Sequence, residues 1–285
     1  MKLMSYVTPT RSSFGVVDGH RVVDLGVRWG AACPDLRTAL QAGWLGKAAE
    51  LVRGATADYH VDELVFLPVI PNPGKILCAG LNYLAHRVEG NHKPEASTPT
   101  FFTRTPESQV GHGRPMVCPR ESSQFDYEAE LAVVIGRAAR RVSPEQALQH
   151  VAGISCYNDG SVRDWQLATS QWTPGKNFPS TGAFGPWMVT ADELAPDAVL
   201  SLVCRLNGQE MQRTTTDLMM FPIAELISFC SNFTTLEPGD VIVTGTPGGV
   251  GLRRDPQVWM KHGDVVEIEL EGVGVLRNPV VKEAA

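Results

Sequence analysis

Asp126-Tyr127-Glu128-Ala129-Glu130-Leu131-Ala132-Val133-Val134-Ile135 sets an acidic cluster directly against an apolar run. The run from Glu130 to Ile135 reads as a strand buried on both faces. In an extended segment, side chains at i and i+2 share a face, so Glu128 and Glu130 stand side by side. Adjacent carboxylates repel unless a cation lies between them. Oxygen donors without nearby His or Cys select Mg2+, Mn2+ or Ca2+ over zinc. The same E-x-E pattern also suits a solvated strand face; its place at the entry of a buried strand favours the metal reading.

Outward from this stretch, strand signals dominate. They cover Lys75 to Ala79, Asp240 to Thr244, and Val266 to Glu271, where apolar residues alternate with Glu as on a strand with one wet face. Helices are fewer. Ser143-Pro144-Glu145-Gln146 offers an N-cap, a first-turn proline and a capping-box partner, with Gly153 as a stop. A second helix from Pro222 places Ile223, Leu226, Ile227 and Cys230 on one face. Because strands and helices do not alternate regularly, a strand-rich α+β domain is expected rather than a doubly wound sheet. This domain is expected to span residues 74–285. Ahead of it, residues 1–66 read as a small N-terminal α/β domain, with short strands around the turn Asp18-Gly19 and a helix near Leu36 to Arg53. Pro68, Pro71 and Pro73 favour an extended connection between the two.

With 285 residues, 43% hydrophobic and 20% charged, the chain can bury a full core. A net charge of −6 with scattered acids leaves no basic stripe for a phosphate backbone, so nucleic acid is not an expected partner. The opening MKLMSYVTPTRSS lacks the apolar stretch of a signal peptide, and no run of roughly 18 apolar residues occurs. A cytoplasmic location without membrane contact is expected. The six cysteines lie far apart with no C-x-x-C pair and read as reduced core residues.

Four further segments carry chemistry. Asn158-Asp159-Gly160 is a turn signal, and it also supplies the third carboxylate that a hexacoordinate ion takes beside Glu128 and Glu130. In Gly80-Leu-Asn-Tyr-Leu-Ala-His86-Arg-Val-Glu89, His86 and Glu89 share a face on any helical turn. That suits a general base and its orienter, or equally a surface ion pair. Lys176 lies in the Gly/Pro-rich Pro174-Gly175-Lys176-Asn177-Phe178-Pro179, as a functional cation or an ordinary exposed lysine. Asp240 to Gly251 is a strand emptying into Thr244-Gly245-Thr246-Pro247-Gly248-Gly249-Val250-Gly251. Backbone N–H groups there, with the Thr246 hydroxyl, suit a carboxylate, although a tight turn alone needs such glycines. Neither nucleotide-loop pattern fits it.

The order of these segments resembles the fumarylacetoacetate hydrolase family across roughly residues 74 to 281. The matching stretches are GLNYLAHRVE, FDYEAELAVVIG, YNDGSVRDWQ, TPGKNF with GAFGP, VIVTGTPGGVG and GDVVEIELEGVGVLRNPV. The opening MKLMSYVTPTRSSFGVVDGHRVVDL resembles the small N-terminal domain of many bacterial members. The resemblance implies a mixed β-sandwich roll, usually in a homodimer, with one Mg2+ or Mn2+ per subunit held by Glu128, Glu130 and Asp159. It implies that His86 and Glu89 activate water and that Lys176 steadies developing negative charge. It also implies that Arg163, Gln166, Gly245 and Thr246 contact the carboxylate or oxo groups of a small oxo-carboxylate substrate. Arg104 stands where many members carry Lys before Pro, which is expected to alter the pocket rim.

The chemistry expected first is hydrolysis of a C–C bond in an acylpyruvate-like carboxylate through an activated water and an enolate. Decarboxylation of an oxaloacetate-type 2-oxo acid, or keto–enol isomerisation of an oxo-diacid, is the alternative on the same residues. A non-catalytic metal-binding protein is the remaining one.

Overall fold

In a computed structural model, which describes residues 1–284, the strand Ala129–Ile135 is buried at every position. It lies inside a mixed sheet of 12 strands. Successive side chains alternate faces, so the apolar run serves two cores. Leu131, Val133 and Ile135 pack with Leu202, Cys204, Ile268 and Leu270 of a second, five-stranded sheet. Ala132 and Val134 point the other way, into a cluster with Leu36, Ala39 and Leu40. Glu128 and Glu130 belong to this even-numbered set, at the end of the strand where apolar neighbours give way to the site.

The neighbours of Ala129–Ile135 are Val151–Asn158 and Val241–Val243, both antiparallel, while Val241–Val243 runs parallel to Ile76–Gly80. The second sheet has the order Gln209–Thr215, Ser201–Leu206, Val265–Leu270, Gly274–Lys282 and Met116–Cys118. Its strand Val265–Leu270 alternates half-buried and buried positions, as the Glu pattern requires. The N-terminal residues extend the large sheet: Lys2–Val7 pairs with Gly182–Thr190, and Ser12–Asp18, Arg21–Asp24 and Tyr59–His60 follow outward. Residues 1–66 therefore share a sheet and a hydrophobic core with later residues, and Val69 and Ile70 of the proline segment are buried in that same core.

Two helix expectations change. The stretch Leu36 to Arg53 is two helices, Leu36–Gln41 and Leu45–Val52. Gly43 at φ +67° ends the first, and Trp44 N–H closes back on Ala39 O at 2.9 Å, as left-handed helix ends do. At Pro144–Ala147 only one turn forms, and the Ser143 side chain makes no cap bond. Gly153 stops no helix, because it lies within the strand Val151–Asn158. The helix from Pro222 is Ile223–Phe233 and buries Ile223, Leu226, Ile227 and Cys230. All six cysteines are free, five of them buried. Among the described residues, no helix is long and apolar enough to cross a membrane.

Gly153 is required by close approach: a Cβ there would sit 2.2 Å from the backbone oxygen of Val189 on the paired strand. Gly153→Ala is expected to cost about 1–3 kcal/mol through the strand shift it forces. Urea unfolding checks this, and an unchanged midpoint would show that the sheet absorbs the methyl group.

Candidate active site

The antiparallel register pairs Ala129 with Asn158 and Glu130 with Tyr157. One step further, Asp159 lies opposite Glu128, and its N–H donates to Glu128 O at 3.0 Å. Residues facing each other across such a pair bring their side chains together. Carboxylate oxygens of Glu128, Glu130 and Asp159 accordingly lie within 4.8 Å of one another, and all three residues are buried. The strand spacing predicted the first two as neighbours; the end of the paired strand Val151–Asn158 delivers the third.

Cations hold these acids in place. Lys176, at the end of the one-turn helix Thr173–Lys176, donates to Glu128 Oε2 at 2.7 Å and Asp159 Oδ2 at 2.5 Å. It is 1% exposed, so the ordinary-lysine reading fails. Arg163 lies 2.8 Å from Glu128 Oε1 through Nη1, and it donates from Nε to Asp126 and from Nη1 to Gln166 Oε1, each at 2.8 Å. Its Nη2 is buried without a partner. Arg104 is buried as well, bonded to Asp159 Oδ1 at 2.5 Å, to Gly160 O and to Thr181. It therefore forms a wall behind the acids instead of altering a pocket rim as expected, because the fork of a guanidinium satisfies three acceptors where no water reaches.

Burial opposes ionisation of Glu128, but the charges of Lys176 and Arg163 outweigh it and hold the carboxyl well below the usual range. Glu130 is driven the opposite way: burial, and then the charges of Asp159 and Glu128, push its carboxyl well above that range. Its one backbone donor is Gly245 N–H, at 2.5 Å. An all-oxygen cluster whose own repulsion raises a carboxyl pKa fits a hard divalent ion. Burial pushes the thiol of nearby Cys78 well up, so no thiolate competes as a soft ligand.

The helix Leu84–Glu89 carries His86 and Glu89 on one face, with His86 Nδ1 2.7 Å from Glu89 Oε1. Glu89 Oε2 in turn accepts the N–H of Gly249 at 2.8 Å. The glycine-rich turn thus binds carboxylates, but they are the protein's own: Gly245 N–H goes to Glu130, Gly249 N–H to Glu89, and Gly251 N–H to Asp126 at 2.8 Å. Gly245, expected to contact substrate, has its N–H committed in this way. Gly245 and Gly249 both adopt φ +100°, a left-handed conformation that a glycine takes without strain.

His86, Glu128, Glu130, Arg163, Lys176 and Thr246 line one cavity of about 90 Å³, and Gln166 joins them. The Thr246 hydroxyl accepts a hydrogen bond from Gln212 Nε2 at 2.9 Å. Asp159 and Glu89 stand behind the lining. The sequence reading missed Asp126, which anchors Arg163, and two exposed residues at the cavity mouth, His92 and Arg253. Asp126 was legible as the first acid of its cluster; nothing in the spacing singled out His92 or Arg253. Burial, then the charges of Arg87, His86 and Arg253, lower the pKa of the His92 imidazole.

His86 at the wall of one small cavity, bonded from behind by Glu89 and set beside a charged cluster, is the arrangement of an enzyme site rather than of a docking surface. Residues 75–281 match the family model described as Fumarylacetoacetate (FAA) hydrolase C-terminal, and the chain belongs to the fumarylacetoacetate hydrolase family. The mitochondrial oxaloacetate tautomerase fahd2 of Xenopus laevis is 38% identical over 270 residues, covering 93% of this chain and 84% of that one. Among solved structures, a maleylpyruvate hydrolase from Sphingobium sp. SYK-6, in complex with manganese(II) and pyruvate, superposes with a TM-score of 0.83 at 27% identity over 100% of both chains. A 5-carboxymethyl-2-hydroxymuconate delta-isomerase from Mycobacterium smegmatis does so with a TM-score of 0.79 at 29% identity, covering 99% of this chain and 100% of that one. The strand-rich α+β fold with mixed sheets is that of the family, and its members include hydrolases, isomerases and oxaloacetate tautomerases.

Removing Arg104 strips Asp159 of one of its two cations inside the fold. Arg104→Met is expected to destabilise the protein by about 3–5 kcal/mol, the cost of breaking a buried pair. Thermal and urea unfolding measure it, and a loss under about 1 kcal/mol would mean that the pair behaves like an exposed one.

Proposed function

We propose that the chain catalyses keto–enol tautomerisation of a compact 2-oxo dicarboxylate of the oxaloacetate type, with Mg2+ or Mn2+ held by Glu128, Glu130 and Asp159. The observation that carries this reading is the His86–Glu89 pair set beside the carboxylate cluster in a cavity of about 90 Å³. That volume is far below the roughly 300–1,000 Å³ of pockets for drug-sized ligands and suits a four-carbon acid. The similarity to an oxaloacetate tautomerase supports the same substrate class.

The bound cation would polarise the 2-oxo group as a Lewis acid. The unpaired Nη2 of Arg163 is the donor available to the substrate's proximal carboxylate. At the mouth, Arg253 offers the charge for the distal carboxylate. His86, oriented by Glu89, takes a proton from the carbon next to the carbonyl and, as the imidazolium, returns it to the enolate oxygen, so the atoms balance without water. Lys176 stays protonated: burial works against its charge, but Asp159 and Glu128 raise its pKa overall. Its ammonium steadies negative charge developing on the substrate oxygen.

A second reading, C–C hydrolysis of an acylpyruvate, is favoured by the maleylpyruvate hydrolase neighbour with its manganese and pyruvate. It would use the same dyad to deprotonate water.

The two readings separate in one pair of assays on chelator-treated and Mn2+-reconstituted protein: decay of the enol absorbance of oxaloacetate, and pyruvate release from acetylpyruvate. Metal-dependent enol decay is expected, falling roughly 10²–10⁴-fold in His86→Ala. Metal-dependent pyruvate release that exceeds it in kcat/KM would transfer the chain to the hydrolases. Arg253→Ala is expected to raise KM for oxaloacetate while leaving kcat nearly unchanged. An unaltered KM would remove the distal carboxylate from that arginine.

A further inference from the structure

The outer edge of the large sheet brings together a second set of donor side chains, at the opposite end from Ile76–Gly80 and Thr100–Arg104. His20 sits in the turn between Ser12–Asp18 and Arg21–Asp24, His60 ends the edge strand Tyr59–His60, and Asp62 follows it in the next turn. The register pairs Arg21 with His60, and Val61 N–H donates to His20 O at 2.8 Å, so the backbones carrying the two histidines are fixed side by side. Their rings stack with centroids 5.5 Å apart and planes 5° from parallel. His60 Nδ1 lies 3.3 Å from Asp62 Oδ2. One donor atom from each of the three residues falls within 4.8 Å of the others, and all three residues are exposed.

We propose that His20, His60 and Asp62 form a surface site for a borderline transition-metal ion, Zn2+ or Cu2+. The donor set decides the class of ion. Two imidazole nitrogens and one carboxylate oxygen suit zinc and copper, and hard ions such as Mg2+ prefer the all-oxygen cluster of the cavity. The distances fit. Two donors each about 2.0–2.1 Å from a tetrahedral zinc are roughly 3.4 Å apart, close to the His60–Asp62 separation already present. Exposed side chains rotate freely, so His20 closes the remaining gap without moving the backbone. The His60 backbone N–H donates to Glu63 Oε2 at 2.9 Å, a contact that holds the turn and uses no ring nitrogen.

Three protein ligands leave an open position for water. The ion ties a hairpin turn at residue 20 to an edge strand at residue 60, and because it binds the folded arrangement it stabilises that part of the sheet. The chain would thus carry two centres that sort ions by chemistry, one buried and oxygen-only, one exposed and nitrogen-rich.

Copper(II) electron paramagnetic resonance tests this on untagged protein with Mg2+ in excess. At one equivalent of Cu2+, wild type is expected to show superhyperfine splitting from imidazole nitrogen, which the oxygen-only cluster cannot produce. His20→Ala and Asp62→Asn, which both leave the Glu63 contact in place, are expected to weaken Cu2+ and Zn2+ binding by at least the roughly tenfold that losing even an outer partner costs. Zn2+ is expected to raise the melting temperature of wild type and not that of the His20→Ala/His60→Ala double variant. Absence of nitrogen splitting in wild type, or the same splitting and the same zinc-dependent melting shift in the double variant, would overturn the site.

Discussion

Asp126, Glu128, Glu130 and Asp159 are at most 4% exposed, and they meet three equally buried cations, Arg104, Arg163 and Lys176. Removing an ion from water costs several kcal/mol, and the cost is offset only where each charge is paired and hydrogen-bonded. Four acids against three cations leave one carboxyl in excess. Glu130, which pairs with no cation among the described residues, is driven well above the usual range by burial and its acidic neighbours, whereas Asp126, raised by burial too, has Arg163 against it. A divalent ion would turn that deficit into a surplus. The same imbalance that makes the centre costly for the bare fold leaves it suited to a hard cation.

Much of the architecture serves this cluster. The register of Ala129–Ile135 against Val151–Asn158 sets Asp159 opposite Glu128. Gly175 lets the helix carrying Lys176 press against the Arg163–Gln166 turn, where a Cβ would meet Gln166 N at 2.3 Å. Asn82 clamps the approach to the helix Leu84–Glu89, with Nδ2 donating to Phe221 O and Thr244 O and Oδ1 accepting Phe221 N–H. His86 is thereby held at a fixed place beside the acids, which is what the proposed role as a positioned proton acceptor requires.

The parts legible in the sequence were those governed by short-range periodicity. Alternation placed Glu128 beside Glu130, and the helical spacing placed His86 beside Glu89; both need only local backbone geometry. The helix from Pro222 was legible for the same reason. Long-range pairing was not. That Arg104 reaches Asp159, 55 residues away, depends on which strands adjoin in the sheet. Gly153 looked like a helix stop because a glycine that ends a helix and one that admits a neighbouring carbonyl look alike in sequence. The turn at Gly245 to Gly251 was identified as a carboxylate binder, but which carboxylates it binds is a matter of tertiary placement.

That turn has a further consequence. Three amides along it, of Gly245, Gly249 and Gly251, register Glu130, Glu89 and the arginine-anchoring Asp126. A backbone amide has no rotamer to lose and no proton to titrate, and substituting its own side chain does not delete it. The relative positions of the His86–Glu89 pair, the acid cluster and Arg163 are thus written into the path of the main chain. Variation is left to the rim, where exposed residues such as His92 and Arg253 can drift without disturbing the alignment beneath them. A scaffold built this way can change its clientele while its machinery stays in register.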